Sequence, residues 1–268
     1  MARKIADAEM SQTGIVGKDT LLTSDFRDHD YETNESRAKL RNEIFNELIT
    51  LKRPENDDDI TKGFGGALPR TELKKDRQAY YIIGLPASGK SSVANNLSDK
   101  YGAIILDSDF AKRKFPEYNA NFGASIVHKE SGIVVFGGGS YSDENSILQY
   151  AVSQGYNIVI PKIGDCSKSV AEFSEKLKQL KYDVHLILVR LDRRKATLRA
   201  LDRYAETERY VPLSLIFDEY SNNPTITFYD MMHLKRVFKS YTMISSDVPR
   251  NHKKELLIST KNSPVIDL

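Results

Sequence analysis

Apolar residues fall into two regimes along this chain. From residue 79 onward they gather in short, nearly continuous runs: Ala-Tyr-Tyr-Ile-Ile at 79–83, Ala-Ile-Ile-Leu at 103–106, Tyr-Asn-Ile-Val-Ile at 156–160 and Val-His-Leu-Ile-Leu-Val at 184–189. Such runs predict strands buried on both faces. Between them the period lengthens to that of a helix. Residues 169–180 place Val170, Phe173, Leu177 and Leu180 on one face, and 92–101, 142–153 and 193–204 read as further helices. Strands alternating with helices predict an α/β fold, a mostly parallel sheet flanked by helices.

Residues 1–78 are rich in charge and poor in strand-like runs. One helix is predicted over 36–51, where Leu40, Ile44, Leu48 and Leu51 recur at helical spacing, and it stops before Pro54. Glu-Asn-Asp-Asp-Asp at 55–59 and Gly-Phe-Gly-Gly at 63–66 predict a loop or linker. Residues 12–34 show no clear period and leave room for a second short helix. The expected organisation is a small helical N-terminal domain, 1–78, followed by an α/β domain, 79–268.

Composition narrows the classes. The 268 residues carry 39 Lys and Arg against 37 Asp and Glu, a net +2, which argues against a polynucleotide partner. A single cysteine, Cys166, excludes an internal disulfide framework and suits a reducing compartment. No apolar run reaches the roughly 20 residues of a membrane span, and the first residues lack a hydrophobic signal core. The expectation is a cytoplasmic protein without membrane contact.

The chemistry starts at residues 84–91, where Gly84, Leu85, Pro86, Ala87, Ser88, Gly89, Lys90 and Ser91 complete the pattern G-x-x-x-x-G-K-[ST]. A predicted strand precedes this phosphate-binding loop and a predicted helix, starting at Ser92, follows it, the context the motif requires. The glycines admit backbone angles and close approach that a Cβ forbids. Backbone N–H groups then converge on phosphate oxygens, aided by the helix N-terminus. Lys90 is placed to reach the β- and γ-phosphates, and Ser91 to ligate Mg²⁺. The implied cofactors are ATP or GTP and Mg²⁺.

Three further groups surround that reading. Asp107 and Asp109 follow the second strand, at the edge where an open α/β sheet meets its ligand. A carboxylate there can orient an acceptor hydroxyl, although capping aspartates also occupy such positions. Arg193, Arg194, Arg199, Arg203 and Arg209 form a basic cluster in which Arg199 and Arg203 share a helix face. Arginines at a lid can stabilise a transferring phosphoryl group, whereas a solvated basic face is the plainer alternative. Arg203 and Arg209 flank the expected helix–lid junction, 204–210. Gly-Ala-Ser-Ile-Val-His-Lys-Glu-Ser at 123–131 offers His128, Glu130 and Ser131 as candidates for an acceptor pocket, with a structural histidine as the alternative. The glycine run at 137–139 is a loop rather than a second phosphate site, since no Lys-Ser or Lys-Thr follows it.

Taken in order, these pieces resemble the zeta toxin family of bacterial toxin–antitoxin systems. The loop at 84–91 resembles that family's ATP site, and Leu-Asp-Ser-Asp-Phe at 106–110 its Ile-Asp-x-Asp-x-Phe strand end. Gln-Gly-Tyr-Asn-Ile-Val-Ile at 154–160 is similar to its Gln-Gly-Tyr-Asn-Leu-Val-Ile strand, and Asp-Arg-Tyr at 202–204 to its Glu-Arg-Tyr lid helix. Val-His-Lys-Glu-Ser at 127–131 is similar to a Val-His-Glu-x-Ser segment of some relatives. The likeness spans roughly residues 79–230. It implies a P-loop kinase that phosphorylates the 3′-hydroxyl of UDP-N-acetylglucosamine and so disturbs cell-wall synthesis. It also implies Asp109 as the catalytic base and Arg203 and Arg209 as the catalytic arginines, with a lid shorter than the family's. The acceptor side departs from the pattern. Where many members carry Glu and then Gly-Thr after the third strand, this chain has Pro-Lys-Ile-Gly-Asp at 161–165, and an upstream helical Glu aligns near Asn145, beside Glu144. Lys162 and Asp165 are the candidates to replace those contacts.

In that family a separate helical antitoxin blocks the nucleotide site. The helix-bearing segment 1–78 is therefore expected to act as an inhibitor in cis, where tethering makes weak contacts sufficient, or else to stabilise the core. Two other readings remain open from sequence. One is a P-loop kinase for a nucleoside, a dinucleotide or a polynucleotide end; the other is a non-catalytic nucleotide-binding switch.

Overall fold

The computed structural model describes residues 2–12, 18–120, 122–138, 145–207, 210–234, 237–249 and 252–264. Along the chain come α1 (Ala2–Gln12), α2 (Asn34–Thr50), β1 (Gln78–Ile83), α3 (Lys90–Tyr101), β2 (Ile104–Ile105), α4 (Ser108–Lys112), α5 (Gly123–Ile126) and α6 (His128–Phe136). Then follow α7 (Ile147–Gln154), β3 (Ile158–Pro161), α8 (Ser167–Gln179), β4 (Asp183–Arg190), α9 (Arg193–Thr207), α10 (Asn223–His233), β5 (Ser240–Ser245) and β6 (Glu255–Ser259). The predicted helix over 36–51 is α2, and the four predicted strands are β1 to β4. In 12–34 the described residues form two 3₁₀ turns, Ser24–Phe26 and His29–Tyr31. The start of the helix predicted over 142–153 lies outside the described residues. No helix among the described residues is long and apolar enough to cross a membrane.

The chain divides into two compact units, and the division does not follow the expected boundary at 78/79. Residues up to 74 cluster with 102–156, while 75–101 cluster with 157–268. The N-terminal segment thus shares a unit with α4 to α7.

In the first unit, α2 packs against α4, α6 and α7. Its start is fixed by Thr33, whose hydroxyl accepts from the Ser36 N–H. Leu40, Ile44, Phe45 and Leu48 are buried, at about 1.5–3 kcal/mol for each large side chain removed from water. The same buried stripe holds Arg37 and Arg41. The loop after α2 folds back on the helix end, and Lys114 pins it. Its buried ammonium donates to Glu47 Oε2 at 2.6 Å and to the Thr61 carbonyl at 2.8 Å. Gly66 permits this return, because a Cβ there would stand 2.2 Å from the Leu51 carbonyl oxygen.

In the second unit the strand order is β3-β1-β4-β5-β6. The first four run parallel and β6 runs antiparallel to β5. Five of the six residues of β1 and six of the eight of β4 are buried, as the continuous apolar runs require. His185, in β4, accounts for the one polar residue in its run. Its Nδ1 meets Ser240 Oγ at 2.7 Å and its Nε2 meets Gln78 Oε1 at 3.0 Å. Burial holds this imidazole down at about 4, so it is a neutral core residue.

Candidate active site

The phosphate-binding loop leaves the carboxyl end of β1 and runs into α3. Gly84 has φ +155°, and a Cβ on it would lie 2.6 Å from the Val189 carbonyl oxygen and 2.9 Å from Ser88 Oγ. Ala87, a non-glycine at φ +57°, completes the turn. The segment after β3 is stitched alongside: Gly84 N–H donates to the Ile163 carbonyl at 3.0 Å, and Lys162 N–H to that of Ile82 at 2.8 Å. Lys162 and Asp165 therefore leave the sheet beside the loop. Asp165 is exposed, and its charge helps burial push the Tyr81 phenol up.

Within the loop, the Lys90 ammonium donates to the carbonyls of Gly84 and Leu85 at 2.8 and 2.7 Å. These two contacts hold the ammonium against the loop's own backbone. Ser88 Oγ is buried without a hydrogen-bond partner among the described residues. Ser91 is exposed in the first turn of α3. Mg²⁺ at nucleotide sites keeps several waters and takes one or two protein ligands plus phosphate oxygens. A lone hydroxyl at Ser91 fits that demand. Ser92 Oγ donates to the Gly89 carbonyl at 3.0 Å.

Helix α9 is packed directly on this loop. Leu85 joins Leu191, Ala196, Ala200 and Ile216 in one buried cluster, with Ala87, Val211 and Tyr220 against it. The small residues Ala196 and Ala200 let the helix approach closely. Arg199 and Arg203 each lie three residues after one of these alanines and are half-buried. At the expected lid junction, the ring of Tyr204 in the last turn of α9 meets that of Tyr210 edge to face at 5.0 Å. Arg209 lies outside the described residues, as does Glu144.

The aspartates belong to the first unit. Asp107 caps α4, its carboxylate accepting from the Asp109 N–H at 2.9 Å. Burial, and then the neighbouring Asp109 charge, push the Asp107 carboxyl up to about 6. Asp109, in the first turn of α4, stands 39% exposed with Oδ1 2.8 Å from Lys112 Nζ. Of the pair, Asp107 has the capping role and Asp109 the accessible carboxylate.

The three candidates around α6 do not share one environment. His128 is exposed at the helix start, and Ser131 is buried with its hydroxyl donated to the His128 carbonyl at 2.8 Å. Glu130 is fully buried. Its carboxylate accepts from Arg37 at 3.0 and 2.6 Å, from Arg41 at 2.8 Å and from the Thr20 hydroxyl at 2.6 Å. Burial alone would raise its pKa, but these partners hold it below the usual carboxylate range. A missed pair of residues, Arg37 and Arg41, thus engages a predicted site residue. The sequence signal was available: two arginines lie four apart within the apolar stripe of α2.

A family model described as Zeta toxin matches residues 68–254. Among solved structures, the chain is similar to one from the PezAT chromosomal toxin–antitoxin system of the human pathogen Streptococcus pneumoniae. The identity is 17% and the TM-score 0.56, covering 86% of this chain and 83% of that one. It is also similar to the AvrRxo1-ORF1:-ORF2 complex with ATP, at 15% identity and TM-score 0.51, covering 83% of this chain and 65% of that one. Identities this low carry the fold alone. No curated protein matches the sequence.

Proposed function

The chain belongs to the zeta toxin family, and on that premise we propose that it is an ATP-dependent kinase toxin. Its proposed acceptor is the 3′-hydroxyl of UDP-N-acetylglucosamine. The observation that carries the kinase reading is the packing of α9 on the phosphate loop through Leu85, Ala196 and Ala200, which brings an arginine-bearing helix to the phosphate cradle. Phosphoryl transfer asks the protein for positioning and for cations around the transferring group. In this reading Lys90 and the residues from Gly84 to Ser92 hold the donor phosphates. Ser91 holds Mg²⁺, which neutralises phosphate charge. Asp109 orients the acceptor hydroxyl, and Arg203 and Arg209 stabilise the transfer. Lys162 and Asp165, leaving β3 beside the loop, are the proposed acceptor contacts of this chain. The fold shared with a structure solved with ATP is consistent with ATP as donor.

The N-terminal segment has two proposed roles. The sequence leaves both inhibition in cis and stabilisation of the core as expectations for this helix-bearing segment. The burial of Leu40, Ile44 and Leu48 inside the first unit, together with the Arg37 and Arg41 contacts to Glu130, favours a structural brace. Incubation of purified protein with ATP and a panel of UDP-sugars, nucleosides and oligonucleotides tests the reaction. A phosphorylated UDP-N-acetylglucosamine is the expected product. Product from another acceptor would reassign the substrate, and bound ATP with no product on any acceptor would favour a nucleotide switch.

A further inference from the structure

One cation outside the phosphate-loop motif reaches its helix end, and a second acts on the first. Lys254, just before β6, places its ammonium 2.7 Å from Ser92 Oγ. Its Cε is 3.6 Å from the point where a Cβ on Gly89 would sit. Arg199, on α9, donates to the carbonyls of Ser246 and Val248 at 2.8 and 3.1 Å, fixing the segment after β5 against the helix. Among the described residues, no carboxylate pairs with either cation. The nearby Asp247 is paired with Lys195 at 2.6 Å. Burial, and then the Arg199 charge, pull Lys254 below the ordinary lysine range. Two like charges held together with neutral partners are unfavourable until an anion arrives.

The place of that anion follows from the loop. Lys90 sits at the Gly84 end of the cradle and is the residue that reaches the outer phosphates. Ser92 lies one residue past the Mg²⁺ candidate Ser91, on the first turn of α3, at the opposite end. We propose that Lys254, supported by Arg199, is a second cationic contact for the donor nucleotide, on its inner-phosphate side. Lys254 and the segment 246–249 that Arg199 holds then form one wall of the donor site. The proposal rests on the reading that the loop binds ATP. Lys254 would discriminate for a nucleoside di- or triphosphate seated along the whole cradle, while Lys90 serves transfer.

Calorimetric titration of the full chain with ATP and with ADP tests this, beside steady-state kinetics. Lys254→Ala is expected to weaken both nucleotides by about tenfold or more, the scale of one charge-assisted hydrogen bond. It should raise KM for ATP with little change in kcat, and Lys254→Arg should restore most of the affinity where Lys254→Gln does not. An unchanged melting temperature separates this from a structural effect. Wild-type binding of ATP with equal binding by Lys254→Ala overturns the proposal while leaving the donor reading intact. Wild-type protein that binds neither nucleotide overturns both.

Discussion

Arg37 grips Glu130 through two hydrogen bonds, Nε to Oε1 at 3.0 Å and Nη2 to Oε2 at 2.6 Å, with neither side chain exposed. The pair does not stand alone. Arg37 Nη1 also donates to Glu117 Oε1 at 2.6 Å, which accepts the Asp28 N–H at 2.8 Å as well. Arg41 and Thr20 complete the shell of Glu130. Two arginines face two glutamates, so the buried charge balances. Each of these contacts joins a residue before 42 to one after 116, which makes the N-terminal segment part of one hydrogen-bonded interior.

Breaking that interior on one side leaves a buried charge without its partner, which costs about 3–5 kcal/mol. Arg37→Met and Glu130→Ala are each expected to lower stability in urea unfolding by that order. The Glu130 contribution is also acid-sensitive. Its folded pKa is depressed, so its stabilisation is present above the ordinary glutamate value, about 4.3, and is lost as pH falls through the lower folded value. A Glu130→Ala protein of normal stability but raised acceptor KM would return Glu130 to a substrate-binding role.

Asp107 has the opposite sign. Its folded pKa is raised to about 6 by burial and by Asp109, so the fold favours the protonated acid. Its contribution is most favourable below the unfolded value and is lost as pH rises through about 6. Asp107→Asn keeps a capping oxygen but removes the charge. The variant should gain melting temperature relative to wild type, and gain more at pH 8 than at about pH 4.5. An equal gain at both would show that Asp107 is not strained by its charge.

Lys90→Ala and Asp109→Ala are expected to remove turnover and toxicity through different steps. Lys90→Ala should lose the β,γ-phosphate contact and hence both binding and transfer. Asp109→Ala should keep ATP binding and lower kcat by roughly 10²–10⁴, the range for a positioned general base. Full kinase activity in the Asp109 variant would move the base assignment elsewhere.

Gly84 reads as part of a motif in sequence and as a steric requirement in the fold. An alanine Cβ would press within 2.6 Å of the Val189 carbonyl oxygen, and that oxygen belongs to the backbone of a buried strand and cannot yield. Gly84→Ala should therefore cost about 1–3 kcal/mol as an overpacked site and distort the cradle. Thermal melts with and without ATP check both effects. An unperturbed melt and a full ATP-induced shift would refute the clash.

The parts of this molecule that were legible in sequence are those with short-range signals. The strands β1 to β4 show as continuous apolar runs, and the loop shows as a motif. By contrast, β5 reads Ser-Tyr-Thr-Met-Ile-Ser and β6 Glu-Leu-Leu-Ile-Ser, runs too mixed to declare strands. The stripe of α2 is read from Leu40, Ile44, Leu48 and Leu51, and Arg37 and Arg41 fall within it at helical spacing without their residue type announcing burial. Their burial depends on Glu117 and Glu130, some eighty to ninety residues away, and no local period encodes that partnership. Lys254 was invisible for the same reason: it reaches Ser92 across 162 positions.

Truncation discriminates between brace and inhibitor. None of the described side chains of α1, residues 3–10, is buried, so removing residues 1–12 should lower the melting temperature far less than removing residues 1–78. Removing residues 1–78 takes away Thr20, Arg37 and Arg41 together with the buried faces of Leu40, Ile44, Phe45 and Leu48. Glu117 and Glu130 then lose their arginine partners, and α4, α6 and α7 lose the helix they pack on. The expected result is insoluble or unfolded protein. Adding Glu117→Leu and Glu130→Leu to the truncation removes the orphaned charge and should recover part of the soluble yield, because apolar replacement of a buried ionic group is often tolerated. A soluble, cooperatively folded 79–268 fragment with raised ATP turnover would overturn the brace and establish inhibition in cis.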